Sequence, residues 1–196
     1  MREEKIKERN KELCKRYPFL IPKDWEGKVP KDFNYSYTEW DALEDGWREA
    51  FGDMLLEELR ESLVKTGDLK NFGIDQLKEK FGSMRFYYHG GNDEVDKIID
   101  KYSVLSENIC IHCGKPDVYM TDKGWMCPCC KECWEKNKYN TNIPYEQFIE
   151  GDNQMANTMN WRSYSPEYEE YEDHEVDISE TANKIRENWR KKHETV

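Results

Sequence analysis

Residues 110–133 read CIHCGKPDVYMTDKGWMCPCCKEC, and this stretch decides the fold. Two C-x-x-C turns, Cys110-Ile-His-Cys113 and Cys130-Lys-Glu-Cys133, each present a pair of thiolates from one knuckle, with residues 114–129 between them. Zinc takes four such ligands at tetrahedral angles, and two knuckles at this spacing are a recognised way to supply them. The intervening residues suit a ribbon. Gly114 permits a reversed backbone, Val118 to Thr121 can form one strand, Asp122-Lys-Gly can turn, and Trp125-Met126 can begin the return strand. Cys110, Cys113, Cys130 and Cys133 are therefore the expected ligands of a single Zn2+.

Cys127 and Cys129 open alternatives. Cys127 paired with Cys130 also makes a C-x-x-C. The 130/133 pair is preferred because it leaves room for a return strand at Gly124-Trp125 before the second knuckle. Cys127 and Cys129 are then buried thiols, or they hold a second metal with His112, or they join a disulfide. A shell of four thiolates has no open position and would activate a bound water poorly, so the expected zinc is structural. Zinc deaminases combine P-C-x-x-C with H-x-E. Pro128-Cys129 is present here, but no H-x-E occurs in the chain.

The rest of the composition agrees with an intracellular metal site. Of the 7 cysteines, only Cys14 lies outside 110–133. A disulfide framework spreads its cysteines to staple distant loops, whereas a metal site gathers them. No apolar run approaches the roughly 20 residues of a membrane span, and the charged start MREEKIKERNKELCKRYP does not resemble a signal peptide. A cytoplasmic protein is expected. The formal net charge is -11, which repels phosphate at long range, so non-specific nucleic-acid binding is not expected unless the charge is strongly segregated.

Upstream of the cysteines, residues 45–65 form the strongest helical pattern. Trp47, Ala50, Phe51, Met54, Leu55, Leu59 and Leu63 share one face, and Gly67 is placed to end the helix. Residues 73–90 read as two strands about a tight turn near Phe81-Gly82-Ser83. A second amphipathic helix carries Val95, Ile98, Ile99, Tyr102 and Leu105, with Asp93, Glu94 and Asp96 suited to its first turn. Residues 2–15 read as a short charged helix too poor in apolar residues for a deep core face, and 17–40 as an ordered loop whose aromatics pack onto the domain. Beyond about 140, residues 151–177 hold few aliphatics and end in the acidic run EYEEYEDHEVD, which reads as a linker. A docking helix follows at about 179–193, introduced by the capping-box pattern Asp177-Ile-Ser-Glu180.

Lys78-Glu-Lys-Phe-Gly-Ser-Met-Arg-Phe-Tyr87, then a short acidic helix, then Cys110-x-x-Cys113-Gly-Lys-Pro, then Gly124-Trp125 and a final cysteine pair, resembles a family of uncharacterised small proteins of phages, prophages and bacteria. The resemblance covers about residues 40–135. It implies a zinc ribbon and a phage setting, and no particular chemistry. Cys127, Cys129 and the tail beyond 140 depart from the family pattern.

One further constellation invites a role. Lys78, Glu79, Lys80 and Arg85 crowd charge around the hairpin turn, with Tyr87 and Tyr88 alongside. They read either as solvent-facing strand residues, with Glu79 paired across the strands, or as a binding surface for an anionic group. His89, His112, His174 and His193 are scattered, and no phosphate loop or dinucleotide fingerprint is present.

The expected fold class is α+β: two amphipathic helices and a β-hairpin packed with a zinc ribbon, with helical N- and C-terminal extensions. The divisions are 1–39 (charged helix and aromatic loop), 40–109 (α+β core), 110–138 (zinc ribbon) and 139–196 (acidic linker and C-terminal helix). The leading function is a non-enzymatic zinc-binding adaptor or inhibitor that binds another protein, in a phage setting a host or defence protein. The alternatives are an acidic mimic of nucleic acid that blocks a host enzyme, and an enzyme acting on a nucleotide or anion at the Lys78/Arg85 hairpin.

Overall fold

The computed structural model describes residues 2–24, 26–121, 126–137, 144–147, 149–165 and 170–193; for Arg2 and 161–172 it describes the backbone only. The fold is mixed α+β, with its strands in antiparallel pairs among the described residues. No helix among them is long and apolar enough to cross a membrane.

The helix expected at 45–65 opens as α2 (Asp45–Trp47), passes through a π-helical segment (Arg48–Gly52) and continues as α3 (Asp53–Thr66), after α1 (Arg2–Arg16). Gly67 adopts the left-handed conformation (φ 80°), and its N–H bonds the carbonyls of Leu63 and Val64, which closes the helix as expected. Trp47, Phe51, Leu55, Leu59 and Leu63 are all buried. Gly52 lacks a side chain where the Trp40 ring lies against the helix.

β1 (Gly73–Lys80) and β2 (Ser83–His89) pair antiparallel about a two-residue turn. Phe81 (φ 54°) and Gly82 (φ 76°) both have positive φ, as a type I′ turn requires. The register sets Lys78 opposite Arg85 and Gln76 opposite Tyr87, with a bulge at Asp75. Both outer edges of the pair are covered. The Leu77 N–H donates to Glu39, and the Met84 N–H donates to the Ser106 hydroxyl.

α4 (Asp93–Ser106) is capped by Asn92, whose side-chain oxygen accepts from the N–H groups of Glu94 and Val95. Its apolar face meets α3. The rings of Phe51 and Tyr102 stand 5.2 Å apart, and the fully buried Tyr102 donates its hydroxyl to Glu58 at 2.9 Å. The remaining elements are β3 (Met120–Thr121), α5 (Lys131–Asn137), β4 (Ile149–Glu150), β5 (Thr158–Ser165), β6 (Glu170–Asp177) and α6 (Ser179–His193).

Two readings of the chain ends change. α1 is drawn further inward than its apolar content suggests. Cys14 is buried, and so is Asn10, whose amide donates to the Tyr35 carbonyl and to Asp41. Tyr17, Phe19, Leu20 and Trp40 join the same buried cluster as α3 and α4, although Tyr37 stays exposed.

At the other end, 158–165 and 170–177 form a paired hairpin where a linker was expected. Met159 lies opposite Val176 and is buried. α6 docks as expected, burying Ala182 and Ile185, with Ile178 buried just before its first residue. The Asp177 carboxylate accepts from the Ser179 N–H at 2.8 Å, an Asx turn in place of the expected Asp177–Glu180 capping box, and Glu180 pairs with Lys184 instead.

Arg186 ties α6 to the segment after the first cysteine pair. Its Nε and Nη2 donate to both carboxylate oxygens of Asp117, each at 2.8 Å, and Asp117 also accepts from the Met155 N–H. Burial pushes the Asp117 carboxyl up, but Arg186 and the Met155 N–H outweigh it and leave it below the usual range. Arg186→Ala strands a partly buried carboxylate. It should cost about 2–3 kcal/mol. Hydrogen exchange should show α6 amides losing protection while α3 and α4 keep theirs.

Candidate metal centre

The first knuckle is built against the start of the long helix. The Gly114 N–H donates to the Cys110 carbonyl and the Cys110 N–H to the Lys115 carbonyl, each at 2.9 Å, folding the turn back on itself. Gly114 takes φ 74°, as anticipated. The Gly46 N–H donates to the Ile111 carbonyl at 2.8 Å, and the buried Trp47 indole N–H donates to the Ile109 carbonyl at 3.0 Å. A Cβ on Gly46 would stand 2.1 Å from the Cys110 carbonyl oxygen. Helix and knuckle therefore meet backbone to backbone.

The second cysteine pair arrives from the opposite side. The Thr121 N–H donates to the Cys127 carbonyl and the Cys129 N–H to the Tyr119 carbonyl, so 119–121 and 127–129 run as a short hairpin. The Ile111 N–H donates to the Pro128 carbonyl at 3.1 Å and joins that hairpin to the first knuckle. Cys130 then leads directly into α5, with the Trp134 N–H on its carbonyl and the Cys133 N–H pointing at its Sγ at 3.4 Å. Trp134 and Tyr145 pack beneath, and the Tyr145 hydroxyl donates to the Cys129 carbonyl. Of the expected return strand at Gly124-Trp125-Met126, Gly124 and Trp125 lie outside the described residues.

These contacts bring Cys110, Cys113, Cys130 and Cys133 together, with all four sulfurs within 4.8 Å of one another. The Cys113 and Cys130 sulfurs are 3.7 Å apart. Tetrahedral zinc with bonds of about 2.3 Å would set its sulfurs roughly 3.8 Å apart. The cluster is thus of a size to hold a metal ion, and four sulfur donors are compatible with zinc.

The four cysteines act on one another's charge. Hydrogen bonds from Cys113, Cys129 and Cys130 favour charge on Cys110. That thiolate, through its hydrogen bond, pushes Cys113 up to about 12, and burial together with the Cys110 charge pushes Cys133 up to about 12. Neighbouring thiols thus oppose one another's ionisation, and a cation among them would favour all four thiolates.

The other candidates separate. Cys127 and Cys129 are fully buried and in no disulfide, and the Cys129 thiol bonds the Cys110 sulfur. Thr121 accepts from the Cys127 N–H and donates to its carbonyl. His112 does not join them: among the described residues the ligand cluster is the one group of histidines, cysteines and acids close enough to share a metal. His112 faces Glu44, whose carboxyl is raised by burial and by the charge of Glu79, with His112 opposing.

The hairpin residues divide by face. Lys78, Lys80, Arg85 and Tyr87 project to the outer face, while Glu79 lies on the other side and accepts the Gly82 N–H at 2.6 Å. Glu79 therefore holds the turn and does not pair across the strands with the cations. The sequence reading missed Gly46, Trp47 and the Asp117–Arg186 pair. Gly46 follows an acidic residue at a helix start and carries no signal of its own. Trp47 was placed on the helix face without its hydrogen bond. Comparison with known protein families, with curated proteins and with solved structures finds no match to this chain.

Proposed function

We propose that this chain is a non-catalytic zinc-binding module that docks onto another protein through the outer face of its β1–β2 hairpin. The metal, held by Cys110, Cys113, Cys130 and Cys133, would cross-link the knuckle to α5 and supply no reactive position. The observation that carries the docking surface is the strand register, which gathers Lys78, Lys80 and Arg85 beside Tyr87 on one face. Among the described residues none of these three cations forms a salt bridge, although the Arg85 charge acts on the half-buried Glu107 carboxyl. Lys78 bonds Gln76 and lies over the Tyr87 ring, and Arg85 bonds the Ser83 hydroxyl. On a protein of net charge -11, such a cluster favours an acidic protein surface. The resemblance to phage proteins makes a host or defence protein the natural target.

The test compares capture from bacterial lysate by the wild type and by Lys78→Ala/Lys80→Ala/Arg85→Ala. The three side chains form no salt bridge and lie at the surface or half-buried, so the variant should keep its metal and lose under about 1 kcal/mol of stability, while its captured partner disappears. A variant that captures the same proteins as the wild type would move the binding surface elsewhere.

A second reading has its own support. Asp173, Glu175 and Asp177 are exposed at alternate positions of β6, so residues 170–177 of the acidic run form a strand. That spacing suits mimicry of a nucleic-acid backbone. Capture that collapses with added salt, and survives the hairpin substitutions, would favour it.

A further inference from the structure

Phe81 sits at the tip of the β1–β2 hairpin, next in line to the cations. The residue is 68 % exposed, the largest exposure among the large apolar residues of the described chain. Its backbone is left-handed, φ 54°, a conformation that asparagine or glycine adopts readily and an aromatic residue does not. Local strain of this kind persists where the surroundings impose it, and it clusters at binding sites. The surroundings here are the metal module. A Cβ on Gly82 would stand 2.3 Å from the Met120 Sδ and 3.3 Å from Pro128, so the turn rests on the short hairpin that leads into the second cysteine pair. The tip is therefore held in place before any partner arrives, and pre-ordering of this kind lowers the entropy cost of binding.

Along the outer face the order is Tyr87, then Arg85 opposite Lys78, then Lys80, then Phe81 at the tip. The Lys80 ammonium lies 5.3 Å from the centre of the Phe81 ring, and that of Lys78 lies 4.8 Å from the centre of the Tyr87 ring. Cations alternating with exposed aromatic rings match an extended chain that alternates carboxylates with apolar groups. Phosphates with bases could offer the same alternation. The net charge of -11 and the presence of only three adjacent cations weigh against a polyanion that must be held by many phosphate contacts. An exposed phenylalanine at a rigid tip is the type of residue that anchors a protein interface by filling a pocket.

We infer that Phe81 is the anchor of the hairpin surface, and that its partner is an acidic protein segment whose apolar side chains receive the Phe81 and Tyr87 rings while its carboxylates meet Lys78, Lys80 and Arg85. This deepens the protein-docking reading above and rests on it.

The test uses the full, metal-loaded chain and a fluorescein-labelled peptide alternating glutamate with tyrosine, against a labelled oligouridylate of equal charge. Phe81→Asn creates a turn sequence favoured in this geometry, so its unfolding midpoint should rise. Its affinity for the peptide should fall about tenfold or more. Lys80→Ala should weaken the peptide as well, and more at about 50 mM salt than at about 300 mM. Binding of the oligouridylate in preference to the peptide would overturn the inference, as would peptide binding unaffected by Phe81→Asn, or no peptide binding by the wild type. A failure of the peptide test with lysate capture still lost in the triple-cation variant would remove the Phe81 anchor alone and leave the docking surface standing.

Discussion

Cys113→Ser should abolish metal retention and unfold the module around it. Wild-type protein should carry close to one zinc per chain, and the variant close to none. Structural zinc contributes about 10–16 kcal/mol of apparent binding free energy in small zinc peptides, while whole domains are stable by only about 5–15 kcal/mol. A serine hydroxyl is a poor replacement for a thiolate. Losing one ligand also leaves Cys110 and Cys130, both buried, without the cation that balances them. The consequence should spread to Trp134 and Tyr145, which pack beside Cys129 and Cys130, and near-ultraviolet circular dichroism should record their loss of order. Cys127→Ser is the control. Its thiol lies outside the four-sulfur cluster, so the zinc content should stay near one per chain. Two zinc ions per wild-type chain would instead bring Cys127 and Cys129 into the shell.

Gly46→Ala should be nearly as damaging, although it touches no ligand. The added methyl would meet the Cys110 carbonyl oxygen at 2.1 Å, the Ile111 carbonyl carbon at 2.6 Å and the Gly114 nitrogen at 2.7 Å. All three are backbone atoms, so no side chain can swing aside. The knuckle must back away from the helix, which breaks the Gly46–Ile111 hydrogen bond and disturbs the one from Trp47 to Ile109. A loss of at least about 3 kcal/mol is expected for overpacking with broken buried hydrogen bonds. Gly67→Ala separates the steric effect from backbone preference. Gly67 has φ 80° and nothing within 4 Å of a new methyl, so it should cost only about 1 kcal/mol. Denaturant midpoints with zinc present distinguish the two. Equal losses would show that the knuckle yields easily.

The features that repeat locally were legible in the sequence. Period-three-and-four spacing marked α3, α4 and α6, and Phe81-Gly82 marked the turn that sets Lys78 opposite Arg85. The C-x-x-C pairs singled out four sulfurs that the fold brings within reach of one ion. What escaped depended on contacts between distant segments. The π-helical Arg48–Gly52 has the same apolar periodicity as the helix around it. The β5–β6 hairpin was read as linker because its charges dominate, and its inward pair at Met159 and Val176 is too small a signal to outweigh them. Gly46 lies far from the knuckle in the chain, and its need to be glycine appears only when helix and knuckle are laid together. Glu79 looked like one of the hairpin cations' partners until the alternation of the strand placed it on the opposite face.

Zinc K-edge X-ray absorption on the purified protein counts the sulfurs around the ion. A metal that cross-links Cys110, Cys113, Cys130 and Cys133 should give a shell of four sulfurs at about 2.3 Å, with no lighter ligand and no neighbouring metal. A nitrogen or oxygen in the shell would mean an open or histidine-bearing site, and a metal–metal signal would mean a cluster that includes Cys127 and Cys129; either result would contradict the closed structural centre proposed for these four cysteines.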